Sequence, residues 1–403
     1  MSYQNKGLLL ERAVLCGGWM MRNQITDRQD ANNGRCTRSY DMDTGELVLT
    51  GNWMTGSMAA ALAALWKRTG DAACLEAAER AGRYIMSLQV MDQRDRHFGA
   101  IRELTPQSIE FAPRDATSAA WGLVWLAEAT GKSIYLERAR LFGDWLVDRG
   151  MYRGWPMYAI YMDDAMDNFY SRGSFQSGAG LFLYDLFRLT GDAKFIEKGL
   201  LPIATIYRDD FITDSGKLIL ERDPFTNEIT CPKDGEDFVY QHAYNDDYGA
   251  AMMIQASNLF ADRSFIERGA LFARWLVGQQ EPGGGWTGGL RPSAVPVAGM
   301  ILRDYGTLLN DDALLAAADR ALEKLLSTQY LDTGDGRMDG AFQGAYEGKD
   351  EERLGRRCVN MRTTAYALMA LLKAESDLAD IWLGIHNKPF RDHRWQGMHD
   401  LVF

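Results

Sequence analysis

The chain contains 403 residues, of which 46% are apolar and 11% aromatic, and this composition suits a large folded core rather than a disordered protein. The formal net charge of −11 disfavours non-specific binding to nucleic acid or to an anionic membrane. The five cysteines are scattered without a CxxC pair, so neither a zinc site nor a disulfide framework is predicted.

The first residues do not resemble a signal peptide. Residues 1–6 carry one cation, and Glu11 and Arg12 interrupt the apolar stretch that follows. No apolar run approaches the roughly 20 residues that a membrane-spanning helix requires. We therefore expect a cytoplasmic protein that does not enter a membrane, and the sequence leaves its oligomeric state open.

After an amphipathic helix predicted over residues 7–25, one unit recurs along the chain. It consists of an apolar helix rich in glycine and alanine, a short turn, and an amphipathic helix. The turns lie at residues 69–71, 130–132, 190–192, 260–262 and 309–311. A spacing of this kind indicates a series of helical hairpins.

The two helices of each unit differ in their patterns. The first is apolar on all sides, as expected for a helix buried all round, and the second carries charges opposite an apolar stripe, as expected for an outer layer. Six inner helices are predicted, beginning near Gly51, Arg114, Gly173, Asp246, Ser293 and Arg362.

Six hairpins are sufficient to close a ring, so the predicted fold is an all-α (α/α)6 toroid that spans residues 1–403 as a single domain. The fifth inner helix is the least regular because Pro292 and Pro296 interrupt it. The last inner helix lacks an outer partner downstream, so we expect the helix at residues 7–25 to supply it and the termini to meet. The tail 386–403 is expected to dock on the body, cover the mouth or meet another subunit.

Short turns on one face place the long loops on the other. These loops lead into the amino-terminal ends of the inner helices, where free N–H groups and the helix dipole favour anionic or hydroxylated ligands. We call this face the mouth. The loops cover about residues 26–51, 90–114, 150–173, 212–246, 282–293 and 330–361.

The repeated hairpins resemble the six-hairpin superfamily of carbohydrate-active enzymes, which includes glycoside hydrolases, polysaccharide lyases and sugar epimerases. The resemblance covers the whole chain. The resemblance also rests on a sequence element after the fourth outer helix, formed by Gln280, Gly284 and Trp286. Weaker forms of this element occur at Gln89 to Gly99 and at Gln329 to Gly340. The resemblance implies an (α/α)6 toroid, and its support for any one chemistry is weaker.

The segment from Tyr240 to Tyr248 leads into the fourth inner helix and contains the adjacent carboxylates Asp246 and Asp247. Neighbouring carboxylates repel, which tends to separate their pKa values and to yield an acid and a base. The segment resembles the catalytic Asp-Asp pair of α-1,6-mannanase-type six-hairpin enzymes. Helix capping by these residues is the alternative.

Two further carboxylates are predicted to face the mouth. Asp115 opens the second inner helix beside Arg114, where it either completes a catalytic pair or caps the helix. Asp164 belongs to the cluster Asp163 to Asp167, whose spacing formally matches the metal-diphosphate motif of isoprenoid synthases. No second metal motif accompanies it, so an isoprenoid cyclase-like enzyme is a minor alternative.

Aromatic rings and hydrogen-bonding groups in the loops predict sugar binding, since pyranose faces stack on aromatic rings and hydroxyls need directional partners. The mouth arginines are consistent with an acidic sugar such as a uronate, or with ion pairs to loop acids. The candidate substrate-binding residues are Asp41, Trp53, Arg114, Trp155, Tyr248, Trp286, Arg291, Asn360 and Arg362.

The predicted function is a glycoside hydrolase acting on an oligo- or polysaccharide through Asp246, Asp247 and either Asp115 or Asp164, a mechanism that requires no cofactor or metal ion. The runner-up is a polysaccharide lyase or uronate epimerase built on His242 and Tyr244, with His97 as the other histidine expected at the mouth. A non-catalytic toroid that binds glycans or protein is the third alternative.

Overall fold

The computed structural model describes residues 5–49, 51–163, 166, 168–231, 248–286, 294–345 and 357–376. Twelve α-helices lie within these residues and alternate between an inner and an outer layer. The inner helices are α2 (Asn52–Thr69), α4 (Pro113–Thr130), α6 (Gly178–Thr190), α8 (Gly249–Phe260), α10 (Ala294–Leu309) and α12 (Met361–Ser376). The outer helices are α1 (Lys6–Arg22), α3 (Ala72–Ser87), α5 (Ser133–Trp145), α7 (Leu201–Ile206), α9 (Arg263–Gln279) and α11 (Asp312–Leu326).

The inner helices form a closed ring in which each contacts the next, from α2 through α4, α6, α8, α10 and α12 back to α2. This arrangement confirms the (α/α)6 toroid predicted from the sequence. Helix α1 packs against α12, so the first helix is the outer partner of the last inner helix, as predicted. Pro296 is the third residue of α10 as described, and proline is tolerated in the first turn of a helix.

Short strands lie between the helices. They are β1 (Thr37–Asp41), β2 (Leu47–Leu49), β3 (Glu110–Phe111), β4 (Met151–Tyr152), β5 (Trp155–Pro156), β6 (Ile160–Tyr161), β7 (Arg172–Gly173), β8 (Glu221–Arg222), β9 (Ile229–Cys231), β10 (Gln343–Ala345) and β11 (Arg357–Asn360). Strands β10, β11, β1 and β2 form an antiparallel sheet in that order, with Ser39 opposite Asn360. The sheet ties the loop after α1 to the loop before α12 across the seam of the ring.

Small residues in the inner helices allow close packing. A Cβ added to Gly56 of α2 would overlap the backbone of Ser118 and Ala119 in α4, and one added to Gly122 would overlap the backbone of Gly56. The glycine and alanine content of these helices is therefore a consequence of their burial on all sides.

Four outer helices are followed by one recurring hydrogen-bond arrangement, which we call the glutamine clamp. A glutamine Nε2 donates to the carbonyl of a loop glycine and to a carbonyl of the next outer helix, and its Oε1 accepts from an arginine of that helix. The clamp glutamines are Gln24, Gln89, Gln280 and Gln329. The arginines are Arg80, Arg138, Arg320 and Arg12 in the same order.

The clamp also explains the loop glycines. Each has a left-handed φ, from 84° at Gly284 to 98° at Gly34, and a Cβ there would overlap a carbonyl of the next outer helix. Glycine tolerates this conformation and this close approach. The Gln-to-Gly element of the sequence is therefore the bond that joins successive outer helices.

Two of the six loops depart from the clamp. After α5 the helix widens into a π-turn (Leu146–Gly150) and the chain continues as the β4–β5 hairpin. Helix α7 lies between two π-turns, and Ile212 takes the place of the clamp glutamine, in an isolated bridge with Leu218. The third and fourth loops thus differ from the other four loops of the toroid.

Truncating a clamp glutamine should destabilise the fold without changing a charge. Gln280→Ala removes two donated and two accepted hydrogen bonds at a half-buried position, so we expect the free energy of unfolding to fall by about 1 to 3 kcal/mol. Denaturant unfolding followed by circular dichroism measures the change. Gln107→Ala, at an exposed loop position, is the matched control and should shift stability by less than about 0.5 kcal/mol. Equal stability of the two variants would contradict the role given to the clamp.

Candidate active site

The mouth contains an aromatic ring between two cations, and each of these three side chains comes from the start of an inner helix. Trp53 is the second residue of α2, Arg114 the second of α4 and Arg362 the second of α12. The guanidinium carbon of Arg114 lies 4.6 Å from the centre of the Trp53 ring, and that of Arg362 lies 5.5 Å from it. These contacts hold two positive charges beside a partly exposed indole.

The floor of the mouth is formed by three aromatic side chains from alternate inner helices. Tyr248, immediately before α8, meets Trp121 of α4 at 5.5 Å and Tyr366 of α12 at 5.7 Å, both edge to face. Since α4, α8 and α12 are alternate members of the ring, these contacts span its axis. Tyr248 itself has a left-handed φ of 77°, a strained conformation for a bulky residue.

A pair of carboxyl groups lies beside the cations. Asp115 accepts a 2.7 Å hydrogen bond from Arg114 Nη1, and its side chain is 24% exposed. Glu103, from the loop before β3, lies within hydrogen-bonding reach of Asp115 when one of the two carboxyl groups is protonated. Asn52, at the start of α2, donates through Nδ2 to the carbonyl of Arg102 at 2.9 Å and to Glu103 Oε2 at 3.4 Å.

Burial raises the pKa of Glu103 well above its usual value, and the nearby carboxylate of Asp115 raises it further. Arg114 opposes the shift, but its influence is the smaller. Glu103 therefore retains its proton in the folded chain at a pH where an ordinary glutamate is ionised. A neutral carboxyl group can donate its proton to a hydrogen bond with Asp115.

Tyr158 lies beside this pair. Burial raises the pKa of its hydroxyl, Asp115 raises it further, and Glu221 has a smaller effect in the same direction. The ring packs edge to face on Phe169 at 5.1 Å and on Phe175 at 6.4 Å. Tyr158 therefore extends the mouth from Asp115 towards the third and fourth loops.

The structure places some of the predicted site residues in the mouth. Trp53, Arg114, Asp115, Tyr248 and Arg362 come together there, although they are far apart in the sequence. Six others fall outside the described residues: Asp164, His242, Tyr244, Asp246, Asp247 and Arg291.

The structure packs four other predicted substrate-binding residues against groups of the protein scaffold. Trp155 is 2% exposed and stacks on Phe211, and Trp286 is 4% exposed and donates to the carbonyl of Leu276. Asp41 accepts from the backbone of residues 43 and 44 in the β1–β2 turn, and Asn360 accepts from the backbone N–H of residue 363 at the start of α12. Loop composition marked them as polar or aromatic, but their partners are protein groups.

His97 also has a packing role. Its ring lies 4.8 Å from that of Phe111, and burial together with the neighbouring Arg96 lowers its pKa. Glu103, in contrast, is a member of the site that no sequence pattern indicates. Its only local signal is a position ten residues before the second inner helix, and its significance depends on the contact with Asp115.

Within the described ranges, no group of three or more His, Cys, Asp or Glu side chains is arranged to hold a metal ion. Among the helices that the structure describes, none combines the length and the apolar character that a membrane crossing requires.

Several solved structures that this chain resembles in fold are described as carbohydrate enzymes. A cellobiose 2-epimerase from Spirochaeta thermophila is 16% identical, with 93% of this chain and 99% of that chain covered at a TM-score of 0.69. An unsaturated glucuronyl hydrolase from Bacillus sp. GL1 is 16% identical, covering 91% and 97% at 0.66. A family 76 glycoside hydrolase (mannosidase) from Bacteroides thetaiotaomicron is 11% identical, covering 92% and 99% at 0.63.

At these identities the likeness shows the fold, which is the six-hairpin toroid that the sequence resembled. No protein-family profile matches the chain, and neither does any curated protein.

The protonated state of Glu103 should make stability depend on pH. The folded chain holds the Glu103 proton more tightly than the unfolded chain does, because the pKa of Glu103 is raised on folding. The resulting stabilisation is complete below the unfolded pKa of about 4.3, and it is lost as pH rises through the folded pKa. Relative to Glu103→Gln, the wild type should therefore lose stability between about pH 5 and about pH 8.

The measurement is the free energy of unfolding of both proteins at the two pH values. Asp304, whose pKa burial raises to about 6, is present in both and cancels in the comparison. Glu76→Gln, a change at a mostly exposed side chain, is the control and should keep the wild-type slope. An identical slope in Glu103→Gln and wild type would show that Glu103 is ionised in both states.

Proposed function

We propose that this protein is a glycoside hydrolase that cleaves an oligosaccharide carrying an acidic sugar, with Asp115 as one of its two catalytic carboxylates. The observation that carries the proposal is the hydrogen-bonded pair of Glu103 and Asp115 at the mouth of the toroid, beside Arg114. The solved structures of the same fold include hydrolases and epimerases of sugars, which supports a carbohydrate substrate.

The spacing of the pair limits what it can do. Two carboxyl groups that flank a glycosidic bond lie at least about 5 Å apart. Glu103 and Asp115 are in hydrogen-bond contact, so they act together on one side of the bond. In the proposal, Asp115 accepts the proton of the attacking water, and neutral Glu103 and cationic Arg114 position its carboxylate.

The opposing carboxylate in this proposal is Asp246 or Asp247. Both lie outside the described residues, and both directly precede Tyr248 in the chain. Tyr248 lies on the floor of the mouth against Trp121. An acid from this segment would protonate the leaving oxygen while Asp115 activates water.

An acidic sugar is favoured by the charges that surround Trp53. Arg114 and Arg362 hold two guanidinium groups against one indole, and Arg362 is only 2% exposed. An aromatic face next to guanidinium groups suits a pyranose ring that bears a carboxylate. The solved structure described as an unsaturated glucuronyl hydrolase is consistent with this class of substrate.

The assay that tests the class of reaction is product analysis by mass spectrometry after incubation with neutral and uronate-containing oligosaccharides. Hydrolysis adds one water per bond broken. A lyase leaves the total mass unchanged and forms a product that absorbs in the ultraviolet, and an epimerase leaves the mass of each molecule unchanged. Either of the last two results, or no product at all, would overturn the proposal.

Asp115→Asn should lower kcat by about 100- to 10,000-fold, because an amide cannot accept the proton of water. The circular dichroism spectrum and the melting temperature should change little, since the amide oxygen still accepts from Arg114. Asp332→Asn is the matched control, an exposed acid in a mouth loop whose φ of 52° asparagine tolerates. Wild-type turnover by Asp115→Asn would exclude Asp115 as the base.

Glu103 is a positioning residue in this proposal, and its two variants should differ. Glutamine can still donate a hydrogen bond to Asp115, whereas alanine cannot. We expect Glu103→Gln to retain activity within about tenfold and to lose the alkaline fall in kcat that ionisation of Glu103 causes. Glu103→Ala should lose about 10- to 100-fold at every pH. The same pH profile for wild type and Glu103→Gln would rule out this role.

A further inference from the structure

The third and fourth loops, which depart from the glutamine clamp, bring three aromatic rings together on the surface. The rings of Tyr152 and Tyr170 are 4.8 Å apart, and Phe225 lies 6.0 Å from the first and 5.8 Å from the second. Phe225 is 57% exposed. We call these three residues the aromatic ridge.

The hairpin of strands β8 and β9 holds Phe225 in an exposed position. Asp223 accepts hydrogen bonds from the backbone N–H groups of Phe225 at 2.8 Å and Thr226 at 2.7 Å, which closes the turn between β8 and β9. Arg222 donates to the carbonyl of Asn227 at 2.7 Å. The turn therefore holds the Phe225 ring at the surface, where it adds to the apolar area that a ligand can cover.

Cations surround the ridge. Arg153 lies 5.2 Å from the centre of the Tyr152 ring, and Arg172 lines the hollow between Tyr152 and Tyr170. Arg172 Nε is buried without a hydrogen-bond partner in the part of the chain that the structure describes. Burial lowers the pKa of Arg172, and Arg153 and Arg222 lower it further against the opposing effect of Asp210. Arg172 Nη1 lies 3.4 Å from Asp210 Oδ2, so this carboxylate offsets part of the charge of the three guanidinium groups. The remaining positive charge favours an anionic ligand.

The ridge is continuous with the candidate active site. Ser171, which lines the same hollow, donates a hydrogen bond to Glu221. Tyr158, whose hydroxyl pKa is raised by both Asp115 and Glu221, packs on Phe175, and Phe175 lines the pocket that also contains Arg114, the neighbour of Asp115. A chain of neighbouring side chains therefore leads from Asp115 past Tyr158 to the hollow.

We propose that the aromatic ridge is a distal subsite that stacks an acidic sugar residue of the oligosaccharide whose scissile bond lies at Asp115. Aromatic faces suit a pyranose ring, and the arginines around them suit its carboxylate or sulfate group. The inference rests on the proposed function, and it adds that the substrate extends beyond the two sugars at the scissile bond.

The test measures binding and turnover against the length of the sugar. The probes are uronate-containing oligosaccharides prepared from hyaluronan, chondroitin and pectin, from disaccharide to hexasaccharide, with neutral cello-oligosaccharides for comparison. The variants are Phe225→Ala and Arg153→Gln. The matched control is Ile229→Ala, which truncates another exposed apolar side chain on the same hairpin.

We expect Phe225→Ala to raise Kd and KM for the hexasaccharide by about five- to tenfold while kcat and disaccharide binding stay unchanged. Arg153→Gln should weaken binding of the acidic hexasaccharide and leave any binding of the neutral one as it was. Ile229→Ala should behave as the wild type. The wild type could bind longer oligosaccharides more tightly, lose this preference in Phe225→Ala, and yet turn over none of the probes. That result would support the aromatic ridge and refute the hydrolase proposal.

Three results would overturn the distal subsite. The first is unchanged hexasaccharide affinity in Phe225→Ala, and the second is an equal loss of affinity for disaccharide and hexasaccharide. The third is that the wild type binds none of the oligosaccharides. Turnover of disaccharides and hexasaccharides with equal KM would refute the ridge and leave the hydrolase proposal intact.

Discussion

The glutamine clamp is the interaction on which the ring of outer helices depends. One uncharged side chain satisfies two carbonyls and one guanidinium, and so joins the end of an outer helix, the following loop and the next outer helix. It requires glycine in the loop, because a Cβ would overlap the neighbouring helix. The clamp fixes where each of these loops starts, and the remainder of the loop is free to differ around the mouth.

The candidate site uses that freedom. Inner helices supply Trp53, Arg114, Asp115 and Arg362 from their first turns, where side chains point into the mouth and the helix dipole favours anions. Glu103 joins them from a loop, held by Asn52 at the start of the neighbouring helix. The two loops without a clamp contain hairpins instead, and these two loops carry the aromatic ridge. The four loops with a glutamine clamp therefore provide rigidity, and the two loops without one provide a surface suited to a ligand.

The sequence predicted the fold well and the site only in part. Apolar helices rich in small residues, alternating with amphipathic ones, can be buried only as an inner ring inside an outer one, which is why the count of hairpins and the pairing of α1 with α12 were correct. Loop composition, in contrast, could not separate ligand-facing residues from packing residues. Trp155 and Trp286 were predicted to face the mouth on the same grounds as Trp53, yet both are buried in the scaffold.

What the sequence alone determined is therefore the periodic part of the molecule: the hairpins, their turns and the side on which the long loops lie. These follow from patterns with a period of a few residues, which act through local hydrogen bonds and burial. Only the tertiary structure decided that Glu103 meets Asp115 and that Tyr152, Tyr170 and Phe225 share one surface. Such contacts join residues from different loops, and the proton retained by Glu103 depends on burial and on a neighbouring charge that no local pattern encodes.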